Sequence, residues 1–154
     1  MRPRLSALAA LLAIAACAEP EAPPAPAEPV TQAWVRLPAV DGRPGAAYFT
    51  LNGGATGDTL IAVESPMVAT IELHESAEQD GRMTMVPIRA VDVPPDSAVR
   101  FAPGGRHAML FGIDPGVTRG ARIALDFRFD SGRDLRIEAP VVAAGDPNPY
   151  AAAR

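Results

Sequence analysis

Short segments in which apolar and polar residues alternate recur along this chain, and they limit what it can fold into. Between residues 123 and 129, and again between residues 135 and 139, every second side chain is apolar. A period of two places one row of side chains on a core and the other in water, as in a β-strand. Ser131 and Gly132 lie between the two runs, so we predict a β-hairpin closed by a two-residue turn.

Similar short runs fill most of the chain and are separated by clusters of Gly, Pro, Asn and Asp. No segment beyond residue 17 keeps a 3.6-residue period over three turns, so helices are not expected. Some 8 to 10 short strands at regular spacing predict an all-β fold, an antiparallel β-sandwich or barrel. The additional runs are Ala33 to Leu37, Ala46 to Leu51, Thr59 to Glu64, Val68 to His74, Arg82 to Val86, Ala90 to Val93, Ala98 to Phe101 and Ala108 to Ile113.

The first 16 residues have the composition of a secretory signal peptide. Arg2 and Arg4 precede an apolar stretch that contains no acidic residue and is too short to span a bilayer. The stretch ends in Ile-Ala-Ala before Cys17, which resembles the lipobox of bacterial lipoproteins. That resemblance implies a diacylated Cys17 at the mature N-terminus and a lipid anchor in a membrane. Ordinary cleavage after Ala16 or Ala18, with an unmodified cysteine, is the alternative.

Composition divides the rest of the chain into three parts. Residues 18–29 are Ala, Glu and Pro only, which cannot bury enough apolar surface to fold. We therefore assign residues 17–31 to the lipidated cysteine and an extended tether, and residues 32–145 to one folded domain. Residues 146–154 are predicted to be a flexible C-terminal end.

Several classes of function are excluded by what the chain lacks. All 14 basic residues are arginine, so neither Schiff-base catalysis nor a phosphate-binding loop with its lysine is available. A formal net charge of -4 argues against a nucleic-acid partner. With 2 histidines, a three-histidine catalytic zinc site cannot form. The single cysteine, Cys17, lies outside the domain, which excludes a blue-copper site. We do not predict an enzyme.

Imidazole and thioether side chains recur in three of the predicted strands. His74 ends one run, Met83 and Met85 share a face of the next, and His107 and Met109 share a face of a third. Thioether is a soft ligand that selects Cu(I), and imidazole also binds copper, so such a set favours Cu(I). The alternative is that the methionines fill a core and the histidines face water. The residue types alone leave these two interpretations open.

The spacing of these residues is similar to a known signature. Ten residues (75 to 84) separate His74 from Met85, twenty-one (86 to 106) separate Met85 from His107, and one separates His107 from Met109. This His-x10-Met-x21-His-x-Met pattern resembles that of the PCu(A)C family of periplasmic copper chaperones. Flanking segments agree between Gln32 and Pro140, including Ala33 to Arg36, Glu72 to Glu75 and Pro103 to His107.

The resemblance implies a cupredoxin-like β-sandwich that holds one Cu(I) per chain on His74, Met85, His107 and Met109. It further implies a periplasmic chaperone that delivers copper to envelope proteins such as the dicopper centre of cytochrome c oxidase. Whether Met83 assists is left open. Many family members also have a methionine soon after the first histidine, where this chain has Glu75 and Ser76. A metal-free structural or adhesion sandwich remains the alternative function.

Overall fold

Ten β-strands form the regular structure of residues 28–79 and 81–151, which the computed structural model describes. The strand runs expected from the sequence are all present, and the all-β prediction is confirmed. Among the described residues, no helix has the length and apolar character needed to cross a membrane. The strands are β1 (Val30–Arg36), β2 (Gly45–Asn52), β3 (Asp58–Glu64), β4 (Val68–Gln79), β5 (Arg82–Pro87), β6 (Val91–Val93), β7 (Ala98–Phe101), β8 (His107–Ile113), β9 (Arg122–Phe129) and β10 (Asp134–Val142).

The strands join in the order β5-β4-β8-β2-β1-β10-β9-β3-β6, with β7 also paired to β2. Strand β10 links the two halves of this sheet, because its first part pairs with β9 and its last two residues, Val141 and Val142, pair with β1. The β1–β10 pairing is parallel, whereas all other named pairs are antiparallel. The sheet is therefore mixed and open, with β5 and β6 at its edges, rather than purely antiparallel.

Aromatic side chains pack between the two halves of the sheet. Phe49 on β2 stacks on Phe101 of β7, with ring centroids 4.2 Å apart, and meets the edge of Phe127 on β9 at 4.9 Å. All three rings are almost fully buried. Complete burial of such a side chain contributes about 1.5–3 kcal/mol, so these contacts hold the halves face to face as a sandwich.

The β9–β10 hairpin is present, but its turn differs from the prediction. The Phe129 amide donates to the Arg133 carbonyl at 2.9 Å, and the Gly132 amide donates to the Phe129 carbonyl at 3.0 Å. Three residues, 130–132, therefore form the loop instead of two. Gly132 has φ +83°, a conformation that glycine adopts without steric cost and that a three-residue hairpin loop requires.

The described residues extend on both sides of the strands. The Pro29 carbonyl accepts a hydrogen bond from the Asn52 amide at 2.8 Å, just before β1 begins. After β10, the Tyr150 hydroxyl donates to the Ala33 carbonyl at 3.2 Å. The predicted signal peptide, Cys17 and nearly all of the proline-rich tether lie outside the described residues.

Candidate metal centre

Pairing between β4 and β8 places the two histidines side by side. His74 lies directly opposite His107, although 32 residues (75 to 106) separate them in sequence. Directly opposite residues of an antiparallel pair project from the same face. The residues next to each histidine, Leu73 and Ala108, point the other way and are buried in the core. Both imidazoles therefore lie on the outer face of the sheet.

Both methionines predicted as ligands share this outer face. Met109 lies two residues after His107 on β8, and Met85 on β5 lies opposite Ser76, two residues after His74 on β4. A period of two keeps each methionine on the same side of the sheet as the neighbouring histidine. Three adjacent strands, β5, β4 and β8, thus bring the four predicted site residues to one surface.

An open cleft of about 380 Å³ lies at this surface. Met85, His107 and Met109 line it, and His74 stands next to His107 just beside the cleft, with ring centroids 5.8 Å apart. Met109 is half-buried, whereas Met85 is 58% exposed. The site is therefore open to a partner on the β5 side and enclosed on the β8 side.

The His107 ring has one nitrogen engaged with the backbone. Its Nδ1 lies 3.0 Å from the carbonyl oxygen of Gly105, which accepts only if Nδ1 carries the proton. That tautomer leaves the Nε2 lone pair available. Metal-binding histidines commonly use such a hydrogen bond to fix the tautomer and the ring orientation. His107 is therefore arranged to offer Nε2 to a ligand in the cleft.

The His74 ring is engaged at the opposite nitrogen. Its Nε2 lies 3.0 Å from Glu72 Oε2, and the carboxylate can accept the Nε2 proton. Nδ1 is buried and has no hydrogen-bond partner among the described residues. A buried polar atom without a partner is costly in a protein interior, and a metal ion would satisfy this lone pair. His74 thus has a free donor atom that suits a bound cation.

Met83 lies on the same face but away from the cleft. It is opposite Glu78, two residues nearer the β4–β5 turn than Met85, and it is 67% exposed. The cleft lining includes Met85 and not Met83. The structure therefore places Met85, His107 and Met109 around one cleft and His74 beside His107, with Met83 on the same face nearer the β4–β5 turn.

Two features of the site were not assigned from the sequence. Glu72 contacts His74, and the i, i+2 spacing of the two residues on one strand was the available signal. Arg36 also lines the cleft and stacks on Trp34 of its own strand and on Tyr48, and the contact with Tyr48 requires the pairing of β1 with β2. Across residues 28–79 and 81–151, no cluster of three His, Cys, Asp or Glu side chains could hold a metal ion.

Comparison with known proteins identifies a matching family and related proteins. Residues 29–141 match the family described as "Putative lipoprotein LpqE-like". The "Putative lipoprotein Lxx21020" of Leifsonia xyli subsp. xyli (strain CTCB07) is 29% identical over 113 residues, 73% of this chain and 68% of the relative. The "Uncharacterized protein RP573" of Rickettsia prowazekii (strain Madrid E) is 30% identical over 110 residues, 68% of this chain and 58% of that protein.

Among solved structures, this fold is similar to the "Copper-bound PCuAC domain from PmoF2". The TM-score is 0.62 and the sequence identity 25%, over 74% of this chain and 91% of that domain. The apo form of the same domain gives a TM-score of 0.63 at 24% identity, over 76% of this chain and 90% of that domain.

Proposed function

This chain belongs to the LpqE-like family, and its domain is of the PCu(A)C type, so we propose that it is a copper metallochaperone. The observation that carries the proposal is the convergence of two imidazoles and two thioethers on one outer face of the sheet. In this proposal His74, Met85, His107 and Met109 bind one Cu(I) per chain. The copper ion is cargo that the protein carries and releases.

The donor atoms suit Cu(I) better than the common divalent cations. Thioether sulfur is soft and uncharged, and it is a poor ligand for Zn(II), Mg(II) or Ca(II). Nδ1 of His74, which has no hydrogen-bond partner in the described part of the chain, and Nε2 of His107 would supply the two nitrogen donors. All four ligands are neutral, so the bound ion would keep its positive charge.

Release by ligand exchange follows from the unequal exposure of the ligands. Met85 is 58% exposed on the edge strand β5, whereas His74 and His107 are buried. An incoming thioether or imidazole of an acceptor would displace Met85 first, and the more enclosed ligands afterwards. The protein therefore needs no covalent catalysis, and we do not propose an enzymatic activity.

We further propose that the acceptors are copper proteins of the cell envelope, such as the dicopper centre of cytochrome c oxidase. Diacylation of Cys17 would anchor the chain to a membrane on its periplasmic side, and the proline-rich tether would give the domain reach. The family description and the name of the Leifsonia relative, both of lipoproteins, support the anchor.

Anaerobic titration with Cu(I) against a chromogenic chelator tests the central proposal. Wild-type protein should bind one equivalent, while His107→Ala and Met109→Ala should lose most of the retained copper. Met83→Ala is the matched control, because it removes an exposed thioether from the same face outside the cleft. Full retention of copper by both ligand variants would contradict the proposal and favour the metal-free structural role.

A further inference from the structure

A guanidinium group lies on the far side of the cleft from the proposed copper ligands. Arg36 on β1 is opposite Ala46 on β2, and Ala46 is in turn opposite Met109 on β8. Adjacent strands are about 4.8 Å apart, so the backbones of Arg36 and Met109 are separated by about 10 Å. Ala46 is the residue of β2 that pairs with both Arg36 and Met109, and its small methyl group leaves the floor of the cleft open.

Two aromatic rings hold this guanidinium in place. The Arg36 Cζ lies 4.9 Å from the ring centroid of Trp34 and 5.6 Å from that of Tyr48. The two rings are themselves in contact, with centroids 4.6 Å apart, and both are buried. A stacked arginine is weakly hydrated and keeps a fixed fork of N–H donors. Arg36 is therefore pre-oriented for a planar anion rather than free in solvent.

The Arg36 guanidinium has no acceptor among the residues that the structure describes. Its Nε is buried and has no hydrogen-bond partner among the described residues, and no ion pair to Arg36 is formed within that part of the chain. Within residues 28–79 and 81–151, no Asp or Glu lines the cleft. Burial raises the pKa of the Tyr48 hydroxyl despite the opposing charge of Arg36, so the phenol keeps its proton and can also donate. An unpaired charged donor of this kind favours a carboxylate.

We propose that Arg36, on its Trp34–Tyr48 platform, binds a carboxylate side chain of the copper-accepting protein and so aligns that protein's ligands with the bound ion. The inference rests on the proposed copper function. Charge complementarity identifies the occupant. Arg36 and a Cu(I) ion on neutral ligands would place two positive charges at the cleft, and the Glu72 carboxylate beside His74 offsets one of them. The loaded cleft is therefore positive within a chain whose formal net charge is -4. An acidic group is therefore attracted to this cleft.

Acetate is the probe for direct binding, and it needs no copper. In wild-type apo protein, sodium acetate should give a saturable shift of the Arg36 Nε–H and Trp34 indole N–H signals in ¹⁵N-resolved NMR spectra. Sodium chloride at equal ionic strength should give none. The exposed Arg43, which lines a different cleft, supplies the internal reference signal. An equal response of Arg36 to both salts, or no response, would overturn the carboxylate site even if copper binding is intact.

Copper transfer to two chelators tests the role in delivery. Arg36→Gln should slow transfer of Cu(I) to the dicarboxylate bicinchoninate about tenfold, the value expected for loss of one charged hydrogen-bonded contact. Transfer to uncharged neocuproine should be unchanged, and Arg43→Gln should behave as wild type. Equal slowing with both chelators, or equal slowing in Arg43→Gln, would contradict the inference. Failure of the wild type to bind copper would instead refute the proposed function and leave the acetate result to decide the anion site.

Discussion

Replacing Glu72 with alanine should weaken Cu(I) binding about tenfold, although this residue is not a proposed ligand. Glu72 Oε2 lies 3.0 Å from His74 Nε2, and Nδ1 of the same ring is buried without a partner among the described residues. The carboxylate therefore holds the proton on Nε2 and leaves Nδ1 for the metal. Without Glu72, the imidazole can rotate and exchange tautomers. Ordering the ring again on metal binding costs free energy, which weakens the affinity for Cu(I).

The magnitude follows from the geometry of this contact. A hydrogen bond to a charged group contributes about 1.5–3 kcal/mol when it is well enclosed. The Glu72 side chain is 50% exposed, so the lower end of that range applies, about 1.5 kcal/mol, which corresponds to about a tenfold change in affinity. Glu72→Gln keeps a hydrogen-bond acceptor at the same place with about half the strength, so this variant should lose Cu(I) affinity only roughly threefold.

Anaerobic competition titration with a Cu(I) chelator measures these affinities, and ¹⁵N NMR of the imidazoles identifies the protonated nitrogen of His74. Glu78→Ala is the matched control, because it removes the same charge from the same face of β4, six residues from Glu72 and opposite Met83. The reasoning fails if Glu72→Ala binds Cu(I) as tightly as Glu78→Ala. It also fails if the copper-loaded wild type is coordinated through Nε2 of His74.

Two further predictions concern the edge strand and the stability of the fold. Met85→Ala should reduce Cu(I) affinity more than tenfold, whereas Met83→Ala should change it less than about threefold, since Met85 lines the cleft and Met83 does not. Chelator competition measures both affinities, and equal losses would refute the proposed role of Met85. Burial alone would raise the pKa of Asp58, but hydrogen bonds from the Ser131 hydroxyl and from the Thr59 and Ser131 amides outweigh it, so the pKa lies below its ordinary value. A lowered folded-state pKa gives stability that is complete above the ordinary pKa of aspartate and is lost as the pH falls through the lower, folded-state value. Because these hydrogen bonds lie at the surface and water screens them, Asp58→Ala should lower the unfolding free energy by no more than about 1 kcal/mol at neutral pH and by less in acid. Thermal unfolding at several pH values measures this difference, and a constant difference across the acid range would contradict the role.

The strand pattern was predictable from the sequence because alternation is a local property. Each half-buried strand, such as the one from Ile123 to Phe129, carries its own two-residue period. The sequence predicted that β4 ends at His74, five residues too early, because the polar segment after His74 shows no apolar alternation. It is nevertheless extended as far as Gln79, because β5 pairs along its whole length at the edge of the sheet.

Pairing between distant strands could not be read from local patterns. The parallel pairing of β1 with β10 joins the two ends of the domain, and no periodicity in the sequence predicts it. The same limit applies to the site. The i, i+2 spacing of His107 and Met109 placed them on one face, but their approach to His74 depends on the register of β4 with β8. The contacts of Glu72 and Arg36 depend on side-chain positions that alternation does not specify.

X-ray absorption spectroscopy of the chain loaded with one equivalent of Cu(I) tests the central claim most directly. If His74, Met85, His107 and Met109 bind the ion together, the spectrum should contain both nitrogen and sulfur scatterers in the first coordination shell. Copper surrounded only by nitrogen and oxygen, or no copper retained after gel filtration, would contradict the proposed carrier site.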